Sequence, residues 1–171
     1  MAIILRPATV DDTDDVAAVW HDAWHDGHGE LVPPAWRRMR SRENFRMRAP
    51  ALIPHMIVAV DEAAGAEGSD IICGFVTTEG NSLEDLFVAA THRGTGVAAR
   101  LLRAGEERLA AAGVKTAQLE CTQGNDRAQR FYEKMGWRVA CPGVQEIDTP
   151  EGRQSLDNWI MEKPLGTGAG V

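Results

Sequence analysis

Cysteine is scarce in this chain of 171 residues: Cys73, Cys121 and Cys141 are the only three, an odd number with no C-x-x-C pair. That speaks against a disulfide framework and fits reduced thiols in a cytoplasmic protein. No apolar run approaches the length of a membrane span, so no membrane partner is expected. The first residues, Met1 to Pro7, turn polar too quickly for a secretory leader. Positive charge is in the minority, with 18 Lys and Arg against 25 Asp and Glu and a formal net charge of −7. General binding to nucleic acid rests on cationic contacts to phosphate and is not expected here. Internal repeats and low-complexity tracts are missing. The length suits one domain with a full core, expected over residues 1–165, with 166–171 as a flexible tail.

What is present is organised around residues 83–99. Leu86, Phe87 and Val88 form an apolar run that reads as the end of a short buried strand. Ala98, Leu101, Leu102, Gly105 and Leu109 recur at spacings of three and four and read as a helix. Between the two lie Arg93, Gly94, Thr95 and Gly96. Glycine lets backbone N–H groups approach a ligand closely. A new helix aims its unsatisfied N–H groups and positive dipole end at the same place. Arginine adds a planar fork of donors. Phosphate suits such a site. On these residues alone a plain chain reversal stays open, and so does a Rossmann turn, because Gly94 to Ala99 fits G-x-G-x-x-A with Glu120 downstream. A Walker A loop is excluded, since no Lys-Ser or Lys-Thr follows the glycines.

In chain order, Ile3 to Leu5 reads as a first strand. Thr9 reads as the cap of a helix whose apolar face is Val16, Val19, Trp20, Ala23 and Trp24, ending near Gly27. His21 and His25 sit one helical turn apart, which is weak as a metal pair without a third ligand, and no metal is expected. The loop with His25, His28 and Glu30 could line a substrate pocket. After Pro33-Pro34 a second helix is expected from about Ala35 to Arg48. Its arginines (37, 38, 40, 42, 46 and 48) are either a solvated face or an attraction for an anionic substrate. Met56 to Val60 and Ile71 to Thr78 read as strands. Asp61 to Asp70 reads as a loop, expected to be mobile. Gly113 stops the glycine-loop helix, and Val114 to Cys121 is another strand.

Asn125 or a neighbour then caps a further helix, on which Ala128, Phe131, Tyr132 and Met135 share a face and which Gly136 ends. Helical periodicity alone makes Tyr132 a core aromatic. Two stretches, however, resemble a known family together. Arg93 to Ala98 is similar to the Q/R-x-x-G-x-G/A signature of the GNAT superfamily of N-acetyltransferases. Asn125 to Trp137 is similar to its N-x-x-A-x-x-F-Y-x-K-x-G-F/W block. One helix and one strand separate them, as in that family. The resemblance is clearest from Leu83 to Val139 and extends loosely to both ends. The chain departs from the commonest pattern at Ala90, where proline is frequent, and at Ala98, an accepted variant.

The resemblance implies an α/β (α+β) fold: a mixed, mostly antiparallel sheet, splayed at its centre, with helices on both faces. It implies acetyl-CoA as co-substrate and a small-molecule or peptide amine as acceptor. The cofactor would meet Phe87, Val88, Arg93, Gly94, Thr95, Gly96, Val97, Ala98, Asn125, Ala128 and Tyr132. Tyr132 would give a proton to the departing thiolate. The Val88 N–H would stabilise the oxyanion. A carboxylate must take the proton of the amine, and Glu84 and Asp85 are the candidates. Regular strand geometry puts Glu84 on the face of Leu86 and Val88 and so favours it; a bulge would favour Asp85. The Rossmann reading loses ground, because four residues separate the strand from the glycine turn and several β segments precede it. A domain that binds acetyl-CoA without transferring it is the other alternative. The acceptor and a homodimer stay open.

Overall fold

The computed structural model describes residues 1–62 and 66–166. Short runs rich in β-branched and apolar residues become strands: β1 (Ala2–Pro7), β2 (Met56–Glu62), β3 (Ile71–Glu79), β4 (Ser82–Val88), β5 (Thr116–Thr122), β6 (Arg138–Thr149) and β7 (Gly152–Pro164). They form one sheet in the order β1-β2-β3-β4-β5-β7-β6. Every neighbouring pair is antiparallel except β4 and β5. Stretches with helical periodicity become α1 (Thr13–His28), α2 (Pro34–Met39), α3 (Arg42–Leu52), α4 (Val97–Ala111) and α5 (Asp126–Lys134). None is long and apolar enough to cross a membrane.

The two faces of the sheet carry different helices. On one, Val16, Trp20 and Trp24 of α1 and Phe45 of α3 pack with Val58 and Phe75. On the other, Leu101, Leu102 and Leu109 of α4 pack with Val76, Leu83, Leu119 and Met161. Gly105 lets α4 lie flat on the sheet: a Cβ there would come within 3.0 Å of Leu83 and 3.1 Å of Val76. The expected second helix is in fact two. Arg40 leaves the helical region at φ −84, ψ 57, and Ser41 starts α3 by accepting the Asn44 N–H on its Oγ. A residue that hydrogen-bonds its own backbone so readily favours a cap over a helix interior. Asp61 and Glu62, expected in a loop, complete β2. Residues 63–65 of that loop and 167–171 of the expected tail lie outside the described residues.

The centre of the sheet holds the feature that makes a site. The parallel strands β4 and β5 pair only at Ser82↔Gln118. Beyond that point they diverge, and the backbone of β4 up to Val88 faces an open gap. By contrast β5 pairs with β7 along its whole length, from Thr116 to Thr122.

Candidate active site

A cavity of about 750 Å³ follows the gap, lined by residues from α1 to α3 on one side and by α4 and α5 on the other. Which groups of β4 enter it depends on a bulge. Thr77 pairs with Asp85 but Thr78 pairs with Leu83, so Glu84 is an extra residue. A bulge re-aims the residues beyond it. Leu83, instead of Glu84, therefore packs with Leu86 and Val88 against α4. Asp85 and Glu84 both line the cavity. Glu84 is exposed, whereas Asp85 is half-buried. The hydroxyl of Thr77 donates to Asp85 Oδ2 at 2.7 Å. Burial pushes the Asp85 carboxyl above the ordinary carboxylate range, against the opposing pull of that hydrogen bond and of Arg48.

The register also orients Val88. The Ala89 N–H donates to Cys73 O at 2.8 Å, which makes Gly74↔Val88 a wide pair whose groups do not bond each other. The N–H and C=O of Val88 therefore point away from β3 and into the gap, where β5 has already diverged. An N–H fixed in that way can stabilise negative charge on a carbonyl oxygen.

At the end of the gap nearest α4, the glycine loop has the form of an anion cradle. Gly94 and Gly96 adopt φ of +75 and +88, and no atom lies within 4 Å of the place where a Cβ would be on either. Gly96 starts α4 without a side-chain cap. Arg100 N–H makes the first helical bond, to Gly96 O, which leaves the N–H groups of Val97, Ala98 and Ala99 without helical acceptors. Gly94, Gly96, Ala98 and Ala99 line the cavity together with Arg93, whose guanidinium bonds Asp26 at 2.9 Å. Thr95 and Val97 do not line it. The Thr95 hydroxyl donates to His92 O, and the Val97 side chain is in the core. The empty space at both glycines and the free N–H groups fit the pyrophosphate of a CoA molecule.

The opposite wall is α5. Asn125 caps it, with its Oδ1 accepting the Ala128 N–H at 3.3 Å. That leaves its amide nitrogen turned to Gly27 of α1 across the cavity mouth. Phe87, Val88, Asn125, Ala128 and Tyr132 all line the cavity. Tyr132 is the only tyrosine of the chain. Its phenol is pushed well above the ordinary value, first by burial and then by the nearby Cys121 and Asp85. A phenol held protonated in this way is equipped to donate. The Cys121 thiol is pushed up to about 11 by burial, so it stays a thiol near neutral pH.

Several residues of the site carry no signal in the sequence. His92 is buried and meets Asp61 of β2 at 2.9 Å, which pins the start of the glycine loop to the sheet. Thr77 holds Asp85. Asn158, also buried, donates to Glu120 from β7. His92–Asp61 and Asn158–Glu120 join segments far apart in sequence, and Thr77–Asp85 depends on the register of β3 with β4. Of the His-rich segment, His28 lines the cavity, stacked on Trp24, and burial lowers its pKa. His25 and Glu30 do not line it. The His21 and His25 rings lie tilted at 4.5 Å and are tied instead to Asp22 and to the Arg40 carbonyl. No metal-binding group of three or more ligands occurs among the described residues.

A sheet splayed beside a glycine-capped helix, with a phenol and a carboxylate facing across the gap, is the arrangement of an N-acetyltransferase. Residues 17–137 match the acetyltransferase (GNAT) family, and the chain belongs to it. The fold is shared with a GCN5-related N-acetyltransferase from Rhodopseudomonas palustris, at 19% identity and TM-score 0.71 over 96% of this chain and 97% of that one. YjaB from Escherichia coli is similar at 20% identity and TM-score 0.72, covering 95% and 97%. The PaiA N-acetyltransferase from Thermoplasma acidophilum, solved in complex with coenzyme A, is similar at 19% identity and TM-score 0.65, covering 96% and 99%. No curated protein sequence matches the chain significantly.

Proposed function

We propose that residues 1–165 form one domain that moves the acetyl group of acetyl-CoA directly to a primary amine, in the cytoplasm. The observation that carries this reading is the gap itself: β4 and β5 separate after one pairing, and Asp85, Val88 and Tyr132 all border the opening. Acetyl-CoA supplies the activated acetyl group when bound. The N–H groups at the start of α4 hold its pyrophosphate, with Gly94 and Gly96 admitting the close approach. Arg93 adds charge at the loop, and Phe87, Ala128 and the Asn125 amide bound its narrow arm.

Chemistry then needs three things of the protein. The Val88 N–H stabilises charge on the thioester carbonyl. Asp85 takes the proton of an amine that is an ammonium ion at neutral pH, its ordinary pKa being about 10.4. A base whose own pKa is raised holds that proton better than an ordinary carboxylate. Tyr132 gives a proton to the departing sulfur. We prefer Asp85 to Glu84 as the base because Asp85 is the one held in place by Thr77 and sheltered from water.

Turnover against pH for Asp85→Asn and Glu84→Gln tests the assignment. Asp85→Asn is expected to lose about 100-fold or more in kcat/KM near neutral pH and to recover as the amine deprotonates unaided. Glu84→Gln is expected to keep the wild-type profile. The opposite pattern would make Glu84 the base.

A further inference from the structure

The arginines of residues 37–48 divide into two groups in the fold, and exposed Arg37, which donates to Gly29 O at 3.1 Å, belongs to the outer one. Arg38, Arg42 and Arg46 lie outside and pair with Glu151, Asp22 and Asp14. Arg40 and Arg48 are half-buried and line the cavity. Among the described residues neither meets a carboxylate. Arg40 reaches only Asn44 Oδ1, at 3.3 Å. The Arg48 guanidinium lies over the Trp20 ring at 4.5 Å. Burial pulls both below the ordinary guanidinium value, Arg40 to about 10, so both remain cations. Arg40 is also placed deliberately: its carbonyl accepts from His25 Nε2 at 2.6 Å, where α2 ends.

The charges of the cavity are sorted by wall. Arg40, just past α2, and Arg48 of α3 are the only arginines, lysines or carboxylates that the segment from α1 to α3 contributes to its lining among the described residues. The carboxylates come from the strands: Glu79, Glu84, Asp85 and Glu120. Trp36, on the helical wall, is buried with an indole N–H that has no partner. Apart from the His28 imidazole, the helical wall thus offers donors and positive charge, beside the apolar surfaces of Trp20, Trp24 and Leu52. Asp85 acts on Arg48 only from a distance, and half-buried cations with no carboxylate in contact gain from a ligand that supplies an anion.

We propose that the acceptor is a small amine that also carries a carboxylate, an amino acid, whose carboxylate binds Arg40 and Arg48 while its amine faces Asp85. Arg48 and Asp85 lie close enough to influence one another's charge, so the amine and carboxylate are separated by few bonds. A polyamine would place its second cation against the arginines. A peptide N-terminus would place a neutral amide there. This inference rests on the acetyl-transfer reading above and names its substrate class.

The test uses three matched panels of acceptors: the common amino acids, their α-amides, and the alkylamines left when the carboxyl group is removed. Acetyl-CoA consumption is read for each, and tryptophan fluorescence is titrated with the same panels in the presence of CoA. At least one amino acid is expected to exceed its own amide and alkylamine by about 100-fold in kcat/KM, because a site built to bind a group rejects the analogue that lacks it. Arg40→Met and Arg48→Met should each raise KM for that amino acid about 10-fold or more, with KM for acetyl-CoA unchanged. Arg38→Met, on the outer surface, should leave both unchanged. The phosphonate analogue of the best amino acid separates a carboxylate from other oxyanions: equal turnover would broaden the class to amines with any small oxyanion and overturn the carboxylate assignment. Amides or alkylamines that react as well as the acids would overturn the inference while leaving acetyl transfer intact. No turnover in any panel, with no fluorescence response selective for the acids, would overturn both.

Discussion

Tyr132 can be observed alone, because it is the single tyrosine. Phenolate absorbance against pH therefore reports one residue. The native protein is expected to show no phenolate at pH about 10, where an unperturbed tyrosine is half ionised; unfolding at that pH should release it. A native titration at the ordinary value would remove the physical basis for Tyr132 as proton donor. Tyr132→Phe should lower turnover by about 100-fold or less, since a thiolate is already a fair leaving group, and should leave acetyl-CoA affinity within a few-fold. Asp85 carries a linked stability effect. Its folded pKa is raised, so its contribution to stability is full below the ordinary carboxylate value and is lost as pH rises through the folded value. Asp85→Asn should thus melt higher than wild type near neutral pH, with the difference vanishing in acid. A lower melting temperature at neutral pH would mean that the ionised carboxylate is better compensated than its surroundings indicate.

At the scale of elements, the glycine-capped start of α4 is the piece whose loss should be most specific. Gly96→Asp places a side chain on a residue at φ +88 and a negative charge where phosphate must approach. Calorimetric titration should show no CoA binding by that variant, with the fold intact by circular dichroism. The same element shows what sequence can convey. Its strand, two glycines and periodic helix are all local, and so were legible, as was the Asn125 cap of α5. The β4 bulge was not. It accompanies two contacts, Thr77 to Asp85 on the neighbouring strand and Leu83 to Gly105 on the helix layer, that local alternation does not encode. Regular alternation therefore favoured Glu84, and the register puts Asp85 in the sheltered position. The arginine segment was legible in composition but not in geometry, because the break at Arg40 and Ser41 decides which guanidiniums face inward.

At the scale of the whole molecule, the two sides of the sheet have distinct tasks. In the reading proposed above, the α4 side carries the cofactor loop, and the α1–α3 side carries the arginines and aromatics of the acceptor end. On the α1 side, Arg6 and Asp12 form two bonds at 2.7 and 2.8 Å that tie β1 to the turn before α1. Arg6 holds the Asp12 carboxyl below the ordinary range, so its stabilisation is present above that range and is lost as pH falls through the folded value. Asp12→Asn is expected to cost about 1 kcal/mol at neutral pH, a low figure because the Arg6 side chain is 37% exposed. The cost should fade in acid when measured by urea unfolding.

Transfer across this gap is direct in our account. Its one rival within the cavity is an acetylated Cys121, beside Tyr132, and the raised pKa of that thiol argues against it. Intact mass of the protein after incubation with acetyl-CoA, with no amine present, decides between them. The expected result is an unmodified chain and no release of CoA until an amine is added. A stable gain of one acetyl group, lost in Cys121→Ala and discharged by added amine, would contradict direct transfer.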